Sequence, residues 1–175
     1  MASLVDIVPW SWMRMRPLQL HLLAHFHPCV HPISLLVPIN DLIRPHLMWW
    51  LQPANLKAGM VFPRPLPTVS IVTDASNNGW GAHMDAVSTA GTWSPSEKQL
   101  HINVLELLAV RRALTFFATS LRRQVVVVKS DNSTVVSYIN RQGGTRSPQL
   151  CLQTWELLRW CVTKSPYLQS IWLGD

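Results

Sequence analysis

Three acids in this chain stand where a charge is hardest to explain. The sequence carries only nine acidic residues, yet Asp74 closes the apolar run "VSIVTDA" and Asp131 closes "VVVVKSD". Glu106 lies within "INVLELLAV". A buried charge without partners is prohibitively costly, so each acid needs a cation, hydrogen-bond donors or water. With residues 103–118 as a helix at about 100° per residue, Val110, Ala113 and Phe117 fall within about 40° of Glu106. Arg111, Arg112 and Thr115 point away. The phase is imperfect, because Val104 and Leu108 fall on the far side.

Parallel neighbouring strands would bring Asp74 and Asp131 together at one edge, where open α/β sheets place their sites. Carboxylates alone, without nitrogen or sulfur ligands, suit hard cations such as Mg²⁺ or Mn²⁺. Two such ions about 3.5–4 Å apart can activate water and stabilise a leaving oxygen in phosphodiester cleavage. Each acid also has a plainer reading. Asp131 can cap a helix, Asp74 can initiate the turn at Ser76-Asn77-Asn78, and Glu106 can pair with an arginine. These alternatives stay open residue by residue; together they require three separate explanations for one metal-like arrangement.

Composition bounds the rest. At 175 residues, with 48% apolar and 14% charged residues, the chain can bury a core and is not of disordered type. A net charge of +6 favours an anionic partner, nucleic acid before membrane. Cys29, Cys151 and Cys161 form no close pair, which points to reduced thiols in an intracellular compartment. The most apolar stretch, 18–39, is cut by four histidines and three prolines, so no membrane span is expected.

The elements that must position the acids fall in two unequal parts. Ten of the thirteen prolines precede residue 68. Residues 1–67 are therefore expected as an irregular, Pro-rich extension with short helices over 17–26 and 40–51, ending in an extended linker at 62–67. Strands are expected over 69–75, 79–84, 90–94, 124–130 and 168–173, and helices over 103–118, 132–140 and 148–163. The order β-β-β-α-β-α-α-β implies a mixed sheet covered by helices, an α/β fold.

The motifs "TDAS-NNGWGAHM", "WSPSEKQLHINVLEL" and "SDNSTVVSYINRQGGTRS" resemble the ribonuclease H domain of retrotransposon reverse transcriptases, of the DIRS-like and Ty3-like kind. The likeness covers about 69–175. Residues 1–67 look like the connection-like segment that joins polymerase to ribonuclease H in such polyproteins, giving a boundary at 67/68. The resemblance implies a ribonuclease H-like mixed five-stranded sheet flanked by helices, with the middle strands reversed. It makes Asp74, Glu106 and Asp131 catalytic and metal-binding carboxylates. It implies Mg²⁺ or Mn²⁺, two ions with substrate bound, and hydrolysis of the RNA strand of an RNA–DNA hybrid, leaving a 3′-hydroxyl and a 5′-phosphate. The polymerase part of a polyprotein is the implied protein partner. The family's fourth acid lies on a helix after the fifth strand. Asp175 falls too early to match it and Trp172 stands near the expected histidine, so the chain is expected to be a copy truncated before that helix.

Beside these acids, "RQGGTRS" sets Arg141 and Arg146 around Gly143 and Gly144. Glycines admit a phosphate to the backbone and arginines bond it; a helix-ending loop with a C-cap glycine is the equal alternative. Asn77 and Asn132 are the small polar groups placed to meet a 2′-hydroxyl. Other features carry less chemistry. Arg111, Arg112, Arg122 and Arg123 read as solvated helix ends. His21, His25, His27, Cys29 and His31 fit no standard zinc spacing. Trp155 and Trp160 read as core, and His101 as structural.

Three function classes follow: a ribonuclease H-type endonuclease, an inactive nucleic-acid-binding remnant of the same fold, or an integrase/transposase-type polynucleotidyl transferase. The glutamate lying between the two aspartates in chain order argues against the third.

Overall fold

The computed structural model describes residues 7–60, 66–164 and 167–172. From residue 69 onward the chain alternates strands and helices: β1 (Val69–Ala75), β2 (Gly79–Met84), β3 (Val87–Thr92), α4 (Ile102–Phe116), β4 (Val125–Ser130), α5 (Ser133–Asn140), α6 (Pro148–Lys164) and β5 (Tyr167–Trp172). Before them come α1 (Ser11–His25), α2 (Arg44–Trp50) and α3 (Pro53–Lys57). The five strands form one sheet in the order β3-β2-β1-β4-β5. This is the mixed five-stranded α/β architecture expected from the sequence.

Only β2 is reversed. It pairs antiparallel with both β1 and β3, whereas β1–β4 and β4–β5 are parallel. The expectation of several reversed strands is corrected by the hairpin geometry: two short turns give one up-down-up meander, and every later strand returns through a helical crossover.

Helix α4 explains why its phase looked imperfect from sequence. Val104, Leu107, Val110, Ala113 and Leu114 pack into the main core with Ile71, Val126 and Val128 of the sheet. Leu105 and Ala109 join a second cluster around Trp93. A helix buried on two sides has no single apolar stripe. Each fully buried Leu or Val side chain contributes about 1.5–3 kcal/mol. The approach to α4 is fixed by a reciprocal cap: Ser94 N–H donates to Glu97 Oε2 at 2.9 Å, and Glu97 N–H donates to Ser94 Oγ at 3.3 Å, which is a capping box.

The N-terminal elements differ most from expectation. The first helix starts six residues earlier than the expected 17, running straight through Pro17. Its buried Met13 and Met15 and a bond from Met13 N–H to Gln142 Oε1 at 3.0 Å hold that first turn from outside the helix, so tertiary contact overrides the proline. The second helix is shorter than expected. Asn40 Oδ1 accepts from Leu42 and Ile43 N–H, a turn that delays the helix until Arg44, with Pro45 in its first turn. Helix α3 was not anticipated. The third strand lies at 87–92 rather than 90–94, because Trp93 turns inward to donate from Nε1 to Ser76 O at 2.8 Å. Of the expected linker, residues 62–65 lie outside the described residues, as do Leu173 and Asp175.

Between α1 and α2 the chain leaves apolar side chains open. Ile33 is 98% and Leu36 91% exposed, whereas an ordinary surface scatters such residues singly. Among the described residues no helix is long and apolar enough to cross a membrane.

Candidate metal centre

The β1–β4 register aligns Val72 with Lys129. Two residues further along both parallel strands stand Asp74 and Asp131, level with each other at the C-terminal edge. Helix α4 crosses behind that edge and brings Glu106 up from the core. One carboxylate oxygen from each of Asp74, Glu106 and Asp131 lies within 4.8 Å of the others. The two aspartates are exposed and Glu106 is 4% exposed. Exposed acids thus face the solvent while the third forms the back wall.

Glu106 is the unsatisfied member of this group. Burial, then the charges of Asp131 and Asp74, push the Glu106 carboxyl up to about 7, against a lowering contribution from the Ala75 backbone N–H. Glu106 Oε2 is buried with no hydrogen-bond partner. An oxygen-only cluster with an orphaned buried acceptor and repelling neighbours fits a hard divalent cation, whose charge would reverse the local repulsion. It is the one such cluster among the described residues. The histidine run is not one: His21 Nε2 meets Pro38 O at 2.7 Å, and His25 Nδ1 meets His21 O at 2.8 Å.

Asn132 follows Asp131 and caps α5, its Oδ1 accepting from Val135 N–H at 3.1 Å. Its Nδ2 donates to Asn103 Oδ1 at 2.9 Å. Both ends of that amide are therefore engaged within the protein. Asn103 escaped the sequence reading. The available signal was its place three residues before Glu106, on the same helix face, as a polar side chain opening an apolar helix. His101 completes the arrangement as the N-cap of α4, its Nδ1 accepting from Asn103 N–H at 3.1 Å.

The remaining residues singled out from sequence are spread more widely. Asn77 is exposed in the turn after β1, three residues beyond Asp74. The segment "RQGGTRS" is not beside the carboxylates. The eight residues of α5 carry it about 12 Å from Asp131 at 1.5 Å per residue. Arg141 and Arg146 are exposed there. The glycines face their own protein: a Cβ on Gly143, at φ +109, would meet Arg16 Cγ at 3.1 Å and Cys151 Sγ at 3.2 Å. On Gly144 it would meet the Tyr138 ring at 2.8 Å. Close packing by α1 and α5 accounts for both glycines. Arg111 and Arg112 are not solvated ends either; they pair with Glu156 and Glu97, each at 2.5 Å.

No family model matches the chain. The enzymatic polyprotein of Figwort mosaic virus (strain DxS) is 29% identical over 103 residues, covering 52% of this chain and 16% of the polyprotein. That of Carnation etched ring virus is 29% identical over 97 residues, covering 49% and 15%. The chain thus spans about one-sixth of these relatives' length. Among solved structures, LC11-RNase H1 in complex with an RNA/DNA hybrid superposes with a TM-score of 0.53 at 18% identity, over 62% of this chain and 86% of that one. The fold is ribonuclease H-like, and the resemblance to a retroelement polyprotein read from the motifs is borne out.

Proposed function

We propose that this chain is the ribonuclease H-type endonuclease portion of a retroelement polyprotein, cutting the RNA strand of RNA–DNA hybrids. The observation that carries this is the convergence of Asp74, Glu106 and Asp131, one oxygen each within 4.8 Å, at the C-terminal edge of a ribonuclease H-like sheet.

In this reading Asp74 and Asp131 hold Mg²⁺ or Mn²⁺ from the solvent side and Glu106 from the core side, with two ions present once substrate is bound. The ions supply an activated water and charge stabilisation for the leaving oxygen. Glu106 gives up its proton as the site fills, since a ligating carboxylate must be deprotonated. Asn103 and Asn132 hold the openings of α4 and α5 at a fixed separation. Water adds to phosphorus, the P–O3′ bond breaks, and the products are a 3′-hydroxyl and a 5′-phosphate. Asn77, exposed on the turn after β1, is the small polar group that meets a 2′-hydroxyl, the Asn132 amide being engaged within the protein. Arg141 and Arg146, with the Gly143-Gly144 turn that presents them, take backbone phosphates further along the duplex.

Residues 68–175 constitute the nuclease domain, and 1–67 a connection-like segment that packs on another part of the polyprotein. The open side chains of Ile33 and Leu36 support that division.

The test is cleavage of a hybrid labelled on the RNA strand, with Mg²⁺ or Mn²⁺, by the chain and by Asp74→Asn. Metal-dependent RNA cuts lost in Asp74→Asn support the reading. Hybrid binding without cleavage in either metal would replace it with an inactive binding module.

A further inference from the structure

The seam between the N-terminal helices and α6 holds several unpartnered polar nitrogens, and the one acid on α6, Glu156, is already paired with Arg111. Arg14 of α1 lies over Trp49 of α2, 5.7 Å from its ring centroid, and Arg159 of α6 lies over Trp155 at 5.3 Å. His46 of α2 meets the same Trp155 ring edge-on at 5.7 Å. His46 is 6% exposed. Arg14 Nε and Trp155 Nε1 are buried donors without partners; His46 Nδ1, donor or acceptor by tautomer, and Gln153 Oε1 of α6 are unpartnered too. Neither Arg14 nor Arg159 has an ion-pair partner among the described residues.

Such a seam is costly unless something answers it. Burial and the charge of Arg159 hold the Arg14 guanidinium below its usual range. Burial and Arg14 push His46 down to about 4, so its imidazole is neutral at physiological pH. Two repelling guanidiniums and two orphaned N–H donors call for a ligand that accepts and does not donate. An ionised oxyanion does this, and guanidinium matches phosphate in geometry and charge. Flanking tryptophan faces add stacking area of the kind single-strand binders use.

We propose that Arg14 and Arg159, with His46 packed on the Trp155 ring beside them, bind a backbone phosphate of a nucleic-acid strand. This is a second contact, built by α1, α2 and α6 and sharing no element with the three carboxylates. It rests on the reading that the chain works on nucleic acid, and it makes the N-terminal segment part of the binding surface.

The experiment measures hybrid binding by the full chain in EDTA, by fluorescence anisotropy over a salt series. Each phosphate contact contributes a slope of about −0.9 in log K against log salt, so losing one weakens binding about eightfold at 0.1 M. Arg159→Gln, at an exposed position, and Arg14→Gln should each do this with unchanged thermal melts. Arg122→Gln, at the opposite end of the β4 strand from Asp131, should do so less. Wild-type slope and affinity in Arg159→Gln, while wild type still binds and cuts hybrid, would overturn the seam and leave the nuclease reading intact. Poly-glutamate competing as well as hybrid would also overturn it, by assigning the seam to carboxylates. Loss of cleavage in Asp74→Asn with the seam variants still weakening binding would uphold it.

Discussion

Asn132 Nδ2 donates to Asn103 Oδ1 at 2.9 Å, and this amide bridge ties together the two helix openings that carry Asp131 and Glu106. The orientation is set by the cap, because Asn132 Oδ1 is already taken by Val135 N–H. Removing the bridge without removing the cap is possible. Asn132→Ser keeps a capping oxygen and Asn103→Ala leaves α5 untouched. Each should lower Mn²⁺ affinity about tenfold, the range for groups that orient metal ligands. The double variant should be no worse than either single, since both delete one interaction. Calorimetric titrations giving additive losses would separate the two residues.

Glu106 makes stability depend on pH. Its folded-state value, about 7, lies above that of an unfolded glutamate, so the folded chain binds the extra proton. The stabilisation is full below about pH 4.3 and is lost as pH rises through 7. The loss is on the order of 3 kcal/mol for the metal-free protein. Urea melts at pH 5 and pH 8 should show it in the wild type and not in Glu106→Gln. Saturating Mn²⁺ should restore the high-pH loss, because a ligand bound to the folded state adds stability.

His46 acts in the opposite direction and at lower pH. Its folded value, about 4, lies below that of a free imidazole, so the unfolded chain binds the extra proton. The stabilisation is present above about pH 6.5 and lost as pH falls through 4. Undocking of α2 should carry this dependence, read as faster proteolysis within 7–60 at pH 4.5 than at pH 7. In His46→Phe the increase should be smaller.

Gly143 and Gly144 hold the turn that seats α1. At Gly143 a side chain is disfavoured both by φ +109 and by Arg16 and Cys151; at Gly144 the obstacle is the Tyr138 ring. Alanine at either position should destabilise by about 1–3 kcal/mol, seen in thermal melts. Hybrid binding should fall less than in Arg159→Gln.

Much of this was legible in the residues because β1 and β4 are short, β-branched runs that close on an aspartate. The runs before Asp74 and Asp131 gave the two parallel strands almost to the residue, and a lone glutamate among leucines marked the third acid of the cluster. The misses share a physical cause. Pro17 hides a helix start that burial of Met13 and Met15 and contact with Gln142 stabilise. Asn103 matters through a partner 29 residues away. The glycines at 143 and 144 looked open to phosphates but are filled by α1 and α5. Tyr138 and Cys151 beside the glycines apart, the deciding contacts are distant in sequence, and local pattern carries no record of them.

Strands β1 and β4 lie side by side, yet the whole β2–β3 hairpin and α4 intervene between them in the chain. Neither aspartate can find the other until that entire excursion has closed, so the centre is inherited as a block. A recombination junction or proteolytic nick that separates the pieces between residues 75 and 125 removes it at once, whereas point substitutions within the excursion, Glu106 itself apart, only weaken it. The three-acid centre should therefore be lost abruptly on fragmentation of the chain, and outlast considerable drift at other positions in sequence.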